Sequence, residues 1–361
     1  MIVGRTAGGK AYRKEKPFNI FRRIQMATKT KIIILVIVAA LAAGGVTVAF
    51  MMKDDKPAKK EPAKKEVAQN INPLTGLELT GKEMARPFIV STDNDSAIAR
   101  PQAGLSQADI MYEVPIEGGG SRYEPIYYSQ VPENCGAIRS CRPYIINIAR
   151  EYKAVLVHDG NSPQAKELFG TIRRLSASKD PYVFHEEPEH NNPSGNRFAT
   201  GKSIVKAEKK EGYYRKKKNL RTFPWLGEND KVEGKDAKEI TINYADGAYN
   251  TFKYDPDTKL YTKYVRDETM VDENNGKAIT CANILVQKVP FQTYDEQRLD
   301  IDMTAGGKAV MFTQGKAVKG TWSRDDLDSP TIFKDKEGKE FKMTPGNTWI
   351  QLIDTTVKFD Y

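Results

Sequence analysis

An uncharged apolar run of 21 residues, Ile32–Met52, limits what the N-terminal part of this chain can be. At about 1.5 Å per helical residue the run is long enough to cross a bilayer core of about 30 Å. Nine Lys or Arg and one Glu precede it, and such a positive leader is expected to stay in the cytoplasm. The sequence therefore predicts a cytoplasmic leader over residues 1–31, a single-pass signal-anchor over 32–52 and C-terminal domains outside the cytoplasm.

A cleaved secretory signal is the alternative to an anchor, because Ala40–Ala43 offers small residues at which a signal peptidase could cut. The length of the apolar run and of the basic leader favours an uncleaved anchor. No Cys lies near the end of the run, so lipid attachment there has no acceptor. We therefore expect residues 32–52 to hold this chain in the cell membrane.

A low-complexity segment follows the apolar run. Lys53–Val67 repeats Pro-Ala-Lys-Lys-Glu and has no large apolar side chain to bury beyond its last residue, so we expect an extended stalk over residues 53–71. The leader carries +8 and this segment +2 of the net charge of +9, which leaves −1 for the remaining residues. A nearly neutral remainder argues against nucleic acid as a partner of the folded domains.

Two sequence patterns follow the stalk. Short apolar runs first alternate with helix-compatible stretches, which is typical of an α/β layer and predicts an N-terminal domain over residues 72–215. Short strands joined by turn residues then predict a β-rich C-terminal domain over residues 216–361, arranged as a meander or partial barrel. The expected fold class is therefore α+β, behind an N-terminal membrane helix.

Two loops of the first domain combine turn residues, polar side chains and a predicted helix start. Gly136–Tyr144 and His158–Pro163 each place Pro at the first position of a helix. Helix N-termini and guanidinium groups both favour oxyanions, and the second loop follows a buried strand, where α/β sheets commonly bind ligands. We therefore predict an anion site at Arg139, Ser140, Arg142, Gly160 and Ser162.

Two further segments extend this candidate site. Glu117–Arg122 adds three glycines and an arginine, but it lacks the Lys-Ser/Thr ending of a phosphate-binding P-loop. His185–Asn192 is rich in ligating groups, yet the spacing of its two histidines matches no zinc motif. We therefore add Arg122, His190 and Asn191 to the predicted ligand-binding residues, and we predict no metal site.

The same residues have structural interpretations that the sequence leaves open. The glycines can form turns without contacting a ligand, and Ser162 can cap a helix without contacting one. Arg139 or Arg142 can pair with Glu113 or Asp159 instead of binding a ligand. Only the spatial arrangement of these side chains decides between the two interpretations.

Three cysteines are too few for a disulfide-dense scaffold. Cys135 and Cys141 are close enough in sequence for a small-loop disulfide, but sequence spacing does not give the distance between them. Cys281 is left over and is expected in a strand. Whether the first two cysteines are bonded stays open at this point.

Several motifs, in the same order along the chain, resemble those of the YerB-like family. They are Asn72–Gly76, Arg86-Pro87, Arg100–Asp109, Arg139–Pro143, His158–Pro163, Gly320–Trp322, Ser329-Pro330 and Pro345–Ile350. The resemblance implies a membrane-attached protein on the outer face of a Gram-positive-type cell, with an α/β N-terminal domain and a smaller C-terminal domain. It implies no activity, because the family is uncharacterised.

This sequence departs from the family pattern in three places. Many relatives resemble lipoproteins with a lipobox cysteine, whereas this chain has a plain apolar span. Smaller residues are more usual at Cys141, so a disulfide there would be peculiar to this chain. The Glu-rich insert beside His190 and Asn191 is also unusual, which leaves the role of that pair open.

Three functions are compatible with these features. The first is an envelope protein whose α/β domain binds an anionic ligand, such as a phosphorylated glycan, a lipid-linked pyrophosphate or another wall polymer. The second is a hydrolase or a phosphoryl or glycosyl transferase at the same site, with His158 as acid/base and Asp159 as its orienting group or a metal ligand. The third is an adaptor whose β-rich domain docks a membrane protein. The sequence leaves any cofactor unknown.

Overall fold

The computed structural model describes residues 70–361 except 82, 95–98, 191–195, 217–218, 246–247 and 296–297. All of these described residues belong to one compact unit, Glu66–Tyr361. The predicted leader, anchor and most of the stalk lie outside the described residues. Among the helices that are described, none is both long enough and apolar enough to cross a membrane.

Most of the regular structure is β. The α-helices are α1 (Pro143–Glu151), α2 (Pro163–Glu167) and α3 (Gly201–Lys210), with 3-10 turns at Leu105–Gln107, Glu117–Gly119, Phe169–Thr171, Pro181–Val183 and Pro188–His190. The strands before residue 215 are β1 (Phe88–Val90), β2 (Thr92–Asp93), β3 (Ile110–Pro115), β4 (Ser121–Tyr127), β5 (Cys135–Gly136), β6 (Val155–His158), β7 (Arg173–Ser176), β8 (Phe184–Glu186) and β9 (Arg197–Ala199).

In the second half of the chain, the regular elements that the structure describes are all strands. They are β10 (Lys235–Asp236), β11 (Glu239–Ala245), β12 (Ala248–Asp255), β13 (Leu260–Val265), β14 (Glu268–Thr269), β15 (Thr280–Cys281), β16 (Asn283–Val289), β17 (Phe291–Thr293), β18 (Leu299–Ile301), β19 (Gly307–Thr313), β20 (Lys316–Ser323), β21 (Ile332–Asp335), β22 (Thr348–Asp354) and β23 (Phe359–Asp360).

A twelve-stranded sheet runs through both halves of the chain. Its order is β10-β20-β19-β16-β22-β3-β4-β1-β6-β7, with β2 on β4 and β21 on β20. The halves meet where β22 pairs in parallel with β3, in a register from Thr348 opposite Ile110 to Gln351 opposite Glu113. The predicted division at residue 215 stays a prediction of domain organisation, and this sheet is continuous across it.

Two layers cover the large sheet. Along β1 the side chains of Phe88 and Val90 join one apolar cluster and that of Ile89 joins another, as the two-residue period of a strand requires. The first cluster includes Phe252 of a second sheet, β14-β13-β12-β11-β23 with β15 on β13. The second cluster includes Ile145 of α1. The large sheet therefore lies between the second sheet and the helix.

The partial barrel predicted for the C-terminal half is not observed. Its strands divide between the two large open sheets and a separate two-stranded sheet, β17-β18, and none of the described sheets closes into a barrel. The reason is the placement of β16 and β22, which pair in parallel with each other and continue the large sheet through β3. The turns predicted between β11 and β12 and between β19 and β20 do form antiparallel hairpins.

Candidate functional site

Three of the loops named above meet beside the carboxyl end of β6. The backbone N–H of Asp159 donates a hydrogen bond to Arg139 O at 3.0 Å, which joins the second loop to the first. The Nη1 of Arg122 donates to Ser140 O, which joins the third loop to the first. The fold therefore brings these three loops together. In the sequence, β4 and β5 separate the third loop from the first, and α1 and β6 separate the first loop from the second.

Two of the predicted anion-binding arginines are held by carboxylates. Arg139 Nη2 lies 2.6 Å from Asp93 Oδ2, and Arg139 Nε donates to the same oxygen at 2.9 Å. Arg142 donates from Nε and Nη2 to the Glu117 carboxylate, each at 3.0 Å. Charge-assisted bonds of this kind are among the strongest in proteins. An anionic ligand at either arginine would compete with an internal carboxylate.

The carboxylates suggested by the sequence as partners of these arginines have other contacts. Glu113 accepts a hydrogen bond from Lys263 Nζ at 3.0 Å, and Asp159 Oδ2 lies 3.5 Å from Arg197 Nε. The suggested pairing is therefore wrong. The observed partners are Asp93 and Glu117. The Glu113 side chain instead faces the second sheet and is buried there.

Arg122 is largely enclosed by its own neighbourhood. The residue is buried, and burial lowers the pKa of its guanidinium. Two residues along β4, the buried Glu124 has a pKa well above its usual range because burial disfavours its charged form. Glu124 Oε1 accepts a hydrogen bond from Ser91 Oγ at 3.0 Å. These contacts make Arg122 part of the packing between the loops.

His158 is buried, and a backbone carbonyl lies beside one of its ring nitrogens. The residue is 1% exposed, and burial lowers the pKa of its imidazole to about 4. Its Nδ1 lies 2.7 Å from Gly160 O, so this carbonyl takes the orienting position that the enzyme hypothesis gave to Asp159. A general acid or base must reach the substrate proton within hydrogen-bond distance. The buried ring of His158 offers no such approach.

The predicted cap at Ser162 is confirmed. Ser162 Oγ accepts a hydrogen bond from the backbone N–H of Ala165 at 3.2 Å, at the start of α2. Gly160 has a φ of +77°, and a Cβ there would lie 2.5 Å from Ser140 Oγ. Because a side chain at position 160 would collide with Ser140, the glycine allows the first and second loops to pack closely.

His190, in the segment His185–Asn192, has partners other than the three loops described above. His190 Nε2 lies 2.7 Å from Glu273 Oε1, and its ring packs against Phe198 with centroids 5.0 Å apart. Asn191 lies outside the described residues. In the part of the chain that the structure describes, no group of three His, Cys, Asp or Glu side chains is arranged to hold a metal ion.

The possible disulfide is not formed. Cys135, Cys141 and Cys281 are free and buried. Burial raises the pKa of the Cys141 and Cys281 thiols to about 12, so both are protonated near pH 7. These cysteines act as small core residues in this structure.

A polar cleft of about 920 Å³ lies beside the third loop. Residues of both halves line it, from the Gly118–Gly120 loop on one side to Val265–Val271 on the other. The polar side chains among its lining residues are Asn94, Arg100, Gln102, Glu113, Ser121, Tyr249, Asn250, Arg266, Asp267, Glu268 and Thr269. The cleft therefore offers amide, hydroxyl, guanidinium and carboxylate groups to a ligand.

A buried ion pair forms the base of this cleft. Glu113 Oε1 accepts hydrogen bonds from Ser121 Oγ and Asn250 Nδ2, each at 2.8 Å. Glu113 Oε2 accepts from the buried Lys263 Nζ, which also lies 4.4 Å from the centroid of the Trp349 ring. The carboxylate thus accepts three hydrogen bonds, from side chains on β4, β12 and β13. The base is fixed before any ligand arrives.

Another wall of the cleft is held by side-chain amides. Arg100 Nη2 donates to Asn94 Oδ1 at 2.8 Å, and Gln102 Nε2 donates to Asp93 O at 2.9 Å. Gln102 is 0% exposed, and its Oε1 has no hydrogen-bond partner among the described residues. Buried amide oxygens are normally satisfied, and one that is not marks a position of functional interest. Arg139 stabilises this wall indirectly, through its ion pair with Asp93.

Sequence reasoning missed the residues that form the base of the cleft. Lys263 lies on β13 two residues after the buried Tyr261 and therefore on the same face of the strand. The strand pattern predicts an apolar side chain at that position. Glu113 interrupts the otherwise buried apolar strand β3 in the same way. A Lys and a Glu on apolar strand faces are the sequence signal of a buried ion pair, and only their pairing required the structure.

Comparisons with known proteins match both halves of the chain. Residues 74–214 match the family model "Protein of unknown function (DUF3048) N-terminal domain", and residues 240–350 match the corresponding C-terminal domain. "Putative lipoprotein YerB" of Bacillus subtilis (strain 168) is 29% identical over 305 residues, which cover 82% of this chain and 89% of that protein. The crystal structure of YerB from Bacillus subtilis has a TM-score of 0.72 and 26% identity, and the match covers 81% of this chain and 99% of that one. The chain belongs to the YerB-like family.

Proposed function

We propose that this chain is a membrane-attached protein of the cell envelope that binds a polar, anionic ligand outside the cytoplasm. The attachment is supported by the apolar run of residues 32–52 behind a basic leader, and by a relative whose name describes a lipoprotein. The ligand class that fits is a glycan that carries a phosphate or carboxylate, and the proposed site is the cleft.

The single observation that carries the proposal is the composition of the cleft. Its volume of about 920 Å³ lies within the range of about 300–1,000 Å³ that is usual for ligand sites. Gln102 Oε1 has no hydrogen-bond partner among the described residues and can accept from a hydroxyl group of a sugar, and the exposed hydroxyl of Thr269 can donate or accept. Arg100 lines the same cleft and adds a guanidinium for an acidic group.

The arginines predicted from the sequence take a positioning role in this proposal. Arg142 holds Glu117, the residue that begins the Gly118–Gly120 wall. Arg139 holds Asp93, whose carbonyl oxygen accepts from Gln102 on the other wall. The predicted anion site and the proposed cleft are therefore neighbours, connected by two ion pairs.

A binding role is favoured over catalysis by the state of His158. The enzyme hypothesis needs an acid or base that a substrate can reach, and that imidazole is buried with its Nδ1 beside a backbone carbonyl. Docking of a membrane protein by the β-rich half stays a prediction, and the test below separates it from ligand binding.

The test is calorimetric titration of the full-length chain, purified in a nonionic detergent, with N-acetylglucosamine 1-phosphate and with N-acetylglucosamine. We expect saturable binding that is tighter for the phosphorylated sugar. Thr269→Trp places a large ring at the exposed rim of the cleft and should weaken binding at least tenfold, as should Arg100→Gln. Thr321→Trp is the matched control, because that exposed threonine does not line the cleft.

Binding that survives Thr269→Trp unchanged would place the ligand elsewhere. Absence of binding by both sugars would remove the proposed ligand class and leave docking of a protein as the next hypothesis. Thermal unfolding of each variant shows whether the fold is retained, so that a loss of binding is not confused with a loss of structure.

A further inference from the structure

We infer that a second site, at the C-terminal end of α3, binds a phosphate-class oxyanion through Arg86, Arg173 and Arg215. This site is separate from the cleft of the proposed function and shares no lining residue with it. It lies on the basic, tyrosine-containing connector that follows α3, which the proposed function leaves unexplained.

The three guanidinium groups line one small cavity of about 290 Å³. Among the described residues, neither Arg173 nor Arg215 forms an ion pair, and both are exposed. The one carboxylate that lines the cavity, Glu211, has its Oε2 3.6 Å from Lys179 Nζ. The lining of the cavity therefore carries an excess of positive charge, and the cavity has room for an oxyanion.

Arg86 gives the cavity a buried positive charge. The residue is 5% exposed, and the guanidinium donates to two backbone carbonyls: Nε to Lys153 O at 3.1 Å and Nη1 to Tyr213 O at 3.4 Å. Carbonyl groups fix the orientation of a guanidinium but leave its charge uncompensated. Burial lowers the pKa of Arg86, and the neighbouring charge of Arg173 acts in the same direction. An oxyanion between the two would relieve this repulsion.

The nearest internal counter-ion to Arg86 is a carboxyl group that does not ionise readily. Glu208 on α3 is 0% exposed, and neither of its carboxyl oxygens has a hydrogen-bond partner among the described residues. Burial raises its pKa to about 8, while the charge of Arg86 opposes the rise. Near pH 7 the group is mainly neutral, so the charge of Arg86 remains available to a ligand.

The site can extend beyond one phosphate group. A neighbouring cavity of about 370 Å³ is also lined by Arg86 and Arg173, and it adds Arg150 and Lys153. Arg150 is paired with Asp328 at 2.7 Å, so the adjoining surface is less positive than the first cavity. The shared ligand chemistry is a phosphate group, either on a phosphate-containing polymer or on a phospholipid headgroup.

The test is calorimetric titration of the full-length chain in nonionic detergent at pH 7 and low salt, with inorganic phosphate and with tripolyphosphate. The double variant Arg173→Gln/Arg215→Gln removes two exposed guanidinium groups and leaves the buried Arg86 in place. We expect at least tenfold weaker binding of tripolyphosphate. The matched control, Lys202→Gln/Lys206→Gln, changes the charge equally on exposed positions of α3 that line neither cavity.

Monomeric dihexanoyl phosphatidylglycerol, with the phosphatidylcholine analogue as its control, distinguishes the source of the phosphate. Tighter binding of the phosphatidylglycerol than of tripolyphosphate assigns the site to a lipid headgroup, and the reverse assigns it to a polymer. Equal loss of binding in both double variants, or no saturable binding of any probe, would overturn the inference. Thr269→Trp should leave this binding intact, so failure of the cleft proposal and failure of this one are distinguishable.

Discussion

Replacing Glu208 with Gln tests whether a buried, unpartnered carboxyl group makes the stability of this fold depend on pH. Glutamine has nearly the same shape and size but stays neutral at every pH. The side chain lies on the buried face of α3 beside Arg86, and burial raises its pKa from an ordinary value of 4.5 to about 8. The variant therefore removes the ionisation of residue 208 and changes little else in the structure.

The sign and size of the effect follow from proton linkage. Below pH 4.5 the carboxyl group is protonated in both states and contributes nothing to the pH dependence. Between pH 4.5 and 8 the unfolded chain releases the proton and the folded chain retains it, so stability falls as pH rises. The fall is about 1.4 kcal/mol per pH unit. Above pH 8 both states are ionised, and the loss levels off at about 5 kcal/mol.

The assay is urea denaturation of wild type and Glu208→Gln at pH 5 and pH 8.5, followed by tryptophan fluorescence. We expect the variant to gain about 4 kcal/mol on the wild type between these two pH values. Glu337→Gln, which changes an exposed carboxylate on a turn, is the control and should not change the pH profile. Parallel profiles for wild type and Glu208→Gln would refute the reasoning, because they would mean that the carboxyl group titrates normally in the folded state.

Two further predictions concern the cleft and its neighbouring loop. Lys263→Met should cost about 3–5 kcal/mol in thermal unfolding, because it leaves Glu113 charged and buried without a counter-ion. The double variant with Glu113→Gln should recover most of that loss, and no recovery would contradict a paired charge at this position. Ser162→Ala should cost about 1 kcal/mol by removing the cap of α2, whereas Ser162→Asp should retain most of the stability. Equal melting temperatures for the alanine and aspartate variants would contradict the cap.

Local structure was largely predictable from the sequence because it depends on local rules. The prolines at Pro143 and Pro163 mark the first residues of α1 and α2, where the missing N–H costs nothing. The apolar run predicted at residues 154–157 forms the buried strand β6. Four aromatic residues of strands in the second half are buried, as is usual for large apolar side chains: Phe312, Trp322, Phe333 and Trp349.

Long-range pairing was not predictable. The contact of β3 with β22 joins residues more than 230 positions apart, and no local property of Ile110–Pro115 or Thr348–Asp354 specifies that partner. Both strands are apolar on both faces, which indicates a central strand but fits several neighbours equally. The predicted partial barrel failed for this reason, since β22 of the second half pairs with β3 of the first half and the sheet stays open.

The candidate site shows the same division between local and distant information. The sequence analysis singled out loops that carry charged and polar residues, and the fold brings three of these loops together. It did not give the partners of Arg139 and Arg142, because an ion pair depends on the path of the loops around it. A carboxylate such as Asp93, at the end of a two-residue strand, carries no mark of the arginine that it holds.

The buried pair of Lys263 and Glu113 connects the architecture to the proposed function. Glu113 lies on β3 in the first half and Lys263 on β13 in the second, and Gln351 of β22 donates to the backbone carbonyl of Glu113 at 3.4 Å. A buried charge of either sign alone would be costly, so each half supplies what the other needs. The cleft is lined by residues 94–121 of one half and 249–271 of the other. It follows that the cleft can form only when both halves fold together, and that neither half expressed alone should show the ligand binding that we propose for the whole protein.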